Sequence, residues 1–114
     1  MMLPRDRLIV ALDVPSVEEA KALIDTLGDS VGVYKIGLEL LFAGGIELAR
    51  ALTHSGRPVF VDAKLLDIEA TVERATAAIA RSGATFLTVH ALDHKTLAAA
   101  VRGRGDSALK LLGV

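Results

Sequence analysis

Two residues of opposite charge stand inside an otherwise apolar run of this chain. Asp62 and Lys64 interrupt the run from Val59 to Leu65, with one residue between them. Side chains two positions apart in a β-strand point to the same face, so both charges would share a face with Phe60. A lysine held beside a carboxylate is a positioned proton donor, which suits a reaction that develops a carbanion. We therefore place the chemistry here, the alternative being a purely structural ion pair.

Three further polar residues accompany neighbouring apolar runs. Asp13 follows the first run, Lys35 lies in the second, and His90 ends the fourth. Barrel enzymes keep their active sites at the carboxyl ends of parallel strands, so we expect these residues to converge with Asp62 and Lys64. At an effective dielectric constant near 20, opposite charges about 4 Å apart attract by roughly 4 kcal/mol. Two carboxylates and two ammonium groups could thus compensate one another.

Several of these residues also have a simpler structural interpretation. Asp13 could be an ordinary turn residue, since a proline follows two positions later. Lys35 would point outward if its strand were shifted by one residue. Asp67 could cap the amino terminus of a helix. Three histidines are more typical of structural or surface positions and receive no catalytic role: His54, His90 and His94.

The elements that position these residues alternate between strands and helices. Five apolar runs predict strands at residues 8–12, 31–36, 59–65, 86–89 and 109–114. Helices are predicted from about residues 16–27, 39–55, 67–82 and 94–102. Ser16 and Glu19 predict a capping box in which each side chain accepts a hydrogen bond from a free backbone donor. Asp93 is expected to cap the fourth helix, and Gly44-Gly45 should weaken the second.

This alternation predicts an α/β domain with parallel strands, spanning residues 1–114. Strands that are apolar on both faces suit either a doubly wound open sheet or a barrel. The five predicted strands would supply a little over half of the eight strands of such a barrel, which needs about 250 residues in all. Because no turn follows the last run, we expect the chain to be part of a longer protein.

Composition excludes several classes of function. The charges of thirteen basic and fourteen acidic residues nearly cancel, and the sequence contains no basic stripe with interleaved aromatic residues. Nucleic-acid binding is therefore disfavoured. No apolar stretch is long enough for a membrane span, and the first residues lack the apolar core of a secretory signal. Cysteine is absent, which excludes disulfides, thiol nucleophiles and thiolate metal sites and fits a reducing cytoplasm.

The run Asp62-Ala63-Lys64-Leu65-Leu66-Asp67-Ile68 resembles the Asp-x-Lys-x-x-Asp-Ile motif of orotidine 5'-phosphate decarboxylases. Residues 8–13, 34–37 and 88–91 resemble the first, second and fourth strands of that family. The resemblance implies a (βα)8 TIM barrel, of which this chain would form about five strands and four helices. It also implies the decarboxylation of orotidine 5'-phosphate to uridine 5'-phosphate in pyrimidine biosynthesis, with no cofactor and no metal.

The resemblance further implies roles for individual residues. Lys64 would deliver a proton to C6 of the pyrimidine as CO2 leaves, with Asp62 beside the departing carboxylate. Asp13 and Lys35 would bind the ribose hydroxyls, and Lys35 would also complete the charge network. Whether Asp62 destabilises the bound substrate or mainly preorganises Lys64 stays open.

The same resemblance implies a homodimer with shared active sites. Asp67 and Ile68 would reach into the neighbouring subunit's site, and Thr71 would contact the ribose from the same loop. The family commonly has Pro-Asn where this chain has Glu69-Ala70, which puts the contacts of that asparagine in doubt. Barrels of this kind bind phosphate after the seventh and eighth strands, so we expect the 114-residue chain alone to be nearly inactive.

Two other functions remain possible at this point. Sugar-phosphate decarboxylases and aldolases of the same barrel superfamily also carry Asp-x-Lys-x-x-Asp, but use Mg2+. Those relatives have a glutamate, which binds the metal, at the position of Lys35. In this chain the positive charge of Lys35 would repel the ion. The chain could alternatively be a non-catalytic half-barrel that serves as a binding or assembly module.

Overall fold

Five parallel strands form one sheet in the order of the chain. The computed structural model describes residues 2–114. The strands are β1 (Ile9–Ala11), β2 (Val33–Gly37), β3 (Val59–Leu65), β4 (Phe86–Val89) and β5 (Lys110–Gly113), and each pairs in parallel with the next. The predicted strands are confirmed, with ends displaced by one or two residues at β1, β2 and β5.

Helices connect the strands, as the alternation predicts. They are α1 (Val17–Leu27), α2 (Ile46–His54), α3 (Glu69–Arg81) and α4 (His94–Arg104). Parallel crossovers are right-handed, so a sheet whose strands follow chain order carries all its helices on one face. A doubly wound sheet would reverse its strand order and place helices on both faces. The sequential order is therefore that of a (βα) barrel, with five strands and four main helices among residues 2–114.

Two side chains cap helices, although one does so differently from the prediction. Ser16 Oγ accepts a hydrogen bond from the Glu19 backbone N–H at 3.2 Å. The Glu19 carboxylate accepts from the Ser16 hydroxyl at 3.0 Å, not from a backbone donor, so the capping box is only half formed. Asp93 caps α4 as predicted, because its carboxylate accepts from the Thr96 N–H at 2.7 Å.

The helix predicted over 39–55 is interrupted. A short helical turn, Leu38–Leu40, leads into a π-helical segment, Leu41–Gly45, before α2 begins. Gly44 lies in the left-handed region with φ of 101°, which explains why the glycine pair breaks the regular helix. The fourth helix ends two residues later than predicted, since Gly103 fits inside α4 where it packs closely against α3.

The hydrophobic core lies between the sheet and its helices. Alternate residues of the strands pack outward against the helices and are at most 1% exposed: Ile36, Val59, Val61, Leu87 and Val89. The opposite face of the sheet, which corresponds to the barrel interior, carries the polar and charged side chains. Period-two alternation thus separates the core from the candidate site.

Candidate active site

Three charged side chains meet at the carboxyl ends of β2 and β3. Lys64 Nζ donates to Asp62 Oδ2 at 2.9 Å, and Lys35 Nζ lies 3.3 Å from the same oxygen. The Asp62 side chain is 11% exposed, whereas those of Lys35 and Lys64 are 26% and 48% exposed. One nearly buried carboxylate therefore holds two partly hydrated ammonium groups. Of the five residues predicted to converge, these three meet, whereas the side chains of Asp13 and His90 form no hydrogen bond or ion pair with the cluster among the described residues.

The position of Lys35 follows from the register between β2 and β3. Lys35 is paired with Phe60, and Gly37 with Asp62. Lys35 thus starts one layer below Asp62 on the same face. Gly37, the next residue of β2 on that face, has no side chain and leaves room for the lysine to extend toward the carboxylate. The outward-facing alternative for Lys35 is wrong.

The backbone of β3 departs from a regular strand at Lys64. This residue has φ of 47°, the only left-handed non-glycine residue in the part of the chain that the structure describes. Val61 pairs with Leu87 and Leu65 with Val89, so β3 advances four residues (65 − 61) while β4 advances two (89 − 87). Such a bulge redirects a side chain next to the strand it interrupts. Simple alternation therefore does not describe how Lys64 reaches Asp62.

Thr88 on β4 completes the cluster and is not among the residues that the sequence singled out for the site. Its hydroxyl donates to Asp62 Oδ1 at 2.7 Å and accepts from the backbone N–H of Lys64 at 2.9 Å. Thr88 is 3% exposed. A polar residue in a short, buried strand needs a hydrogen-bond partner. That requirement is the feature of the sequence from which a role for Thr88 could have been predicted.

The environment of Asp62 favours its charged form. Burial by itself raises the pKa of this carboxyl group, but hydrogen bonds from Lys64, Thr88 and Lys35 outweigh burial and lower the pKa below its ordinary value. Asp62 is therefore ionised at neutral pH. It can hold the two ammonium groups in place but has no proton to give.

Other residues predicted for the site lie outside this cluster. Asp13 is exposed, with Oδ1 3.5 Å from the position that a Cβ on Gly37 would occupy. Asp67 is exposed and accepts a hydrogen bond from the Ile68 N–H at 2.7 Å. Ile68 is 72% exposed, and Thr71 is also exposed. Thr71 lies in the first turn of α3, and within residues 2–114 Asp67 forms no ion pair with the cluster.

The alternative role of Asp67 as a helix cap is wrong. The N-cap position of α3 belongs to Ile68, and no side chain caps this helix. Asp67 instead accepts from the N–H of its neighbour Ile68, which is itself the N-cap residue. His54 and His94 are exposed, as predicted, and His90 is half-buried with its backbone N–H bonded to the Leu65 carbonyl at 3.0 Å.

Glu69, where this chain departs from the resemblance, takes part in a surface ion-pair network. Arg102 on α4 lies 3.5 Å from Glu69 and donates to Glu73 at 2.6 Å. These carboxylates raise the pKa of the Arg102 guanidinium, chiefly through the hydrogen bond to Glu73. The side chain at position 69 therefore ties the start of α3 to α4 and does not face the cluster.

The donor set of the described residues favours proton chemistry. No group of three or more His, Cys, Asp and Glu side chains is arranged to hold a metal ion between residues 2 and 114. The Asp62 carboxylate already accepts from two ammonium groups and a hydroxyl, and a further cation there would meet both lysines. Over the same residues, no helix has the length and apolar character needed to cross a bilayer.

Comparison with known proteins gives a consistent result. The family model described as "Orotidine 5'-phosphate decarboxylase / HUMPS family" matches residues 6–114. An orotidine 5'-phosphate decarboxylase of Rhodopseudomonas palustris (strain BisB5) is 59% identical over 110 residues, which are 96% of this chain and 46% of the relative. One from Bradyrhizobium sp. (strain BTAi1) is 58% identical over 111 residues, 97% of this chain and 45% of the relative.

Solved structures resemble the fold as well. Orotidine 5'-phosphate decarboxylase from Lactobacillus acidophilus superposes with a TM-score of 0.83 at 37% identity, covering 93% of this chain and 51% of that one. The enzyme from Pyrococcus horikoshii OT3 has a TM-score of 0.79 at 22% identity, covering 93% and 50%, and supports the fold alone. The chain spans about half the length of the curated relatives it matches.

Proposed function

The chain belongs to the orotidine 5'-phosphate decarboxylase / HUMPS family, and we propose that it forms the proton-donor half of a barrel that decarboxylates orotidine 5'-phosphate to uridine 5'-phosphate. The observation that carries this proposal is the single Asp62 carboxylate shared by Lys35 and Lys64. An ammonium group held beside a carboxylate can protonate a carbon from which CO2 has departed. The reaction needs no electron acceptor, so we propose that it needs no cofactor.

Each residue of the cluster has a distinct role in this proposal. Lys64 delivers the proton to C6, because it is the more exposed ammonium and faces the open side of the sheet. Asp62 stays ionised, orients Lys64, and lies beside the carboxylate that leaves. Lys35 contributes the second positive charge and, with Asp13, binds the ribose hydroxyls. The phosphate is bound by later strands of the complete barrel, so substrate affinity depends on them as well.

We further propose that the active protein is a cytoplasmic homodimer in which Asp67, Ile68 and Thr71 serve the partner's site. Support comes from apolar side chains that the rest of residues 2–114 leaves at least half exposed. Ile68, Leu66 and Leu92, on the loops after β3 and β4, are 72%, 51% and 71% exposed. Exposed apolar residues grouped at one end of a sheet are typical of an interaction surface. The cysteine-free composition fits a reducing compartment.

The test is the loss of orotidine 5'-phosphate in the complete barrel, compared with Lys64→Ala. Asp62 keeps Lys35 and Thr88 in this variant, so the fold should persist while the rate falls by at least about 100-fold. Lys21→Ala, which removes an exposed lysine on α1, is the matched control and should leave the rate unchanged. A Lys64→Ala variant that retains the wild-type rate would exclude Lys64 as the proton donor.

Sharing of the site is tested by mixing Lys64→Ala with Asp67→Ala. A mixed dimer contains one site in which both residues are intact. Equal mixing should therefore restore about a quarter of the wild-type rate, since half the dimers are mixed and each has one intact site. No recovery after subunit exchange, with exchange verified independently, would contradict sharing.

The family name also covers sugar-phosphate enzymes, whose reactions use Mg2+. The proposed function therefore requires that no such Mg2+-dependent reaction is found with this protein. The ammonium of Lys35 next to Asp62 disfavours a divalent cation at this position. We expect chelator to leave orotidine 5'-phosphate decarboxylation unchanged and Mg2+ to support no reaction of 3-keto-L-gulonate 6-phosphate. The opposite pattern would replace the proposed substrate.

A further inference from the structure

The hydroxyl of Thr88 joins the proposed proton donor to its carboxylate through two hydrogen bonds. It accepts from the backbone N–H of Lys64 at 2.9 Å and donates to Asp62 Oδ1 at 2.7 Å. The direct contact between the other two residues uses different atoms, Lys64 Nζ and Asp62 Oδ2. One buried side chain therefore contacts both members of the pair without competing with their ion pair.

The backbone at Lys64 explains why such a contact is required. A left-handed φ of 47° is rare for a residue with a side chain. It accompanies the irregular pairing of β3 with β4, where the N–H of Lys64 bonds to a side chain and not to the strand. A backbone donor without a partner is costly in such a position. The unusual conformation can persist only where another acceptor replaces the strand, and Thr88 Oγ1 is that acceptor.

We propose that Thr88 is a positioning residue for the proton transfer: its hydroxyl holds Lys64 in the left-handed conformation and fixes the rotation of the Asp62 carboxylate, so that Lys64 Nζ faces the reacting carbon. This inference rests on the proposed function. A hydroxyl group has both properties that the geometry needs, one donor and free acceptor lone pairs. Valine has the shape of threonine without either property, and serine has both without the methyl group.

The first experiment compares Thr88→Val with Thr88→Ser in the complete barrel. We expect Thr88→Val to lower kcat by about 10-fold to 100-fold, with a much smaller change in KM, because misplacing a reacting group by about 1 Å has effects of this size. Thr88→Ser should retain most of the rate. The matched control is Thr76→Val, since Thr76 is 0% exposed and its hydroxyl has no hydrogen-bond partner in the described chain. That control should keep the wild-type kcat.

The second experiment follows the Asp62 carboxylate by carbon NMR during a pH titration without substrate. Loss of the Thr88 donor should move the titration of Asp62 to higher pH in Thr88→Val, and neither Thr88→Ser nor Thr76→Val should do so. A threonine that only filled space would lower the Tm of Thr88→Val and leave this titration in place, which would overturn the proposal.

Other outcomes are equally decisive. A wild-type kcat in Thr88→Val, or equal losses in the serine and valine variants, would also overturn the proposal. Should Thr88→Val fail to fold, Thr88→Cys takes its place, because a thiol is a weak donor and a weak acceptor. If the wild-type barrel does not act on orotidine 5'-phosphate, the proposed function fails, and the Asp62 titration still decides whether Thr88 orients the carboxylate.

Discussion

Removing the charge of Asp62 should leave the ammonium groups of Lys35 and Lys64 with an uncompensated electrostatic repulsion. Both ammonium nitrogens contact the same oxygen, at 2.9 and 3.3 Å, so they are at most 6.2 Å apart (2.9 + 3.3). Two like charges at that separation repel by about 2.7 kcal/mol at a dielectric constant near 20, and by about 0.7 kcal/mol in water. Both lysines are partly exposed, so solvent screening favours a repulsion of about 1 kcal/mol in Asp62→Asn.

The sharpest measurement is a double-mutant cycle between Asp62→Asn and Lys35→Met. In the wild-type background, Lys35→Met removes an attraction and should lower the free energy of unfolding. In the Asp62→Asn background it removes a repulsion and should raise that free energy, with an interaction energy of about 1–3 kcal/mol. Urea unfolding followed by circular dichroism measures the free energy of unfolding in both backgrounds. Lys21→Met is the matched control and should have the same effect in either background.

Salt provides an independent check on the electrostatic origin of this coupling. At 1 M salt the Debye length falls to about 3 Å, so the coupling between these partly exposed groups should shrink. An effect of Lys35→Met that has the same sign in both backgrounds would refute the reasoning. So would a coupling that is insensitive to salt, because a contact of packing alone would behave in that way.

Three further predictions follow from other contacts of the molecule. Asp62 has a lowered pKa in the folded state. The stability it contributes is therefore present above the ordinary aspartate pKa of about 4 and is lost as the pH falls through the folded value. The free energy of unfolding should accordingly depend less on pH below pH 4 in Asp62→Asn than in the wild type. Gly103→Ala should destabilise the protein by about 1–3 kcal/mol in urea unfolding, because the new Cβ would lie 2.1 Å from the Glu73 carbonyl oxygen. This clash should outweigh the better helix propensity of alanine. An increase in stability would show that α3 and α4 can separate freely. Ser16→Ala should cost about 1 kcal/mol through loss of the α1 cap, and Ser16→Asn should recover most of it in the same assay.

Most of the fold follows from the sequence because hydrophobic periodicity and helix caps act locally. Apolar runs separated by Ser16, Asp93 and the glycines at helix ends leave little choice in the alternation of strands and helices. The same patterns did not decide between a barrel and an open sheet. That choice depends on which strands become neighbours, and the pairing of each strand with the next is a long-range property.

The candidate site was predictable where it depends on alternation and not where it depends on a local distortion. Alternation along β2 and β3 places Lys35 and Asp62 on one face of the sheet, and their ion pair bears this out. The left-handed backbone of Lys64 has no such signal, since propensity disfavours lysine in that conformation. The role of Thr88 depends on that distortion, because its hydroxyl replaces a strand hydrogen bond that a regular β3 would have made.

The contacts of Asp62 also decide which member of the cluster can act as an acid. Its pKa is lowered by the hydrogen bonds it accepts, so at neutral pH it has no proton to transfer. Each lysine ammonium has three donor hydrogens, and Asp62 uses one of Lys64, which leaves others for a substrate on the open face. A ligand that excluded water from this face would strengthen both ion pairs, because the effective dielectric constant would fall. The carboxylate is therefore best understood as the group that fixes two cations side by side, and the greater exposure of Lys64 is consistent with its proposed role as proton donor.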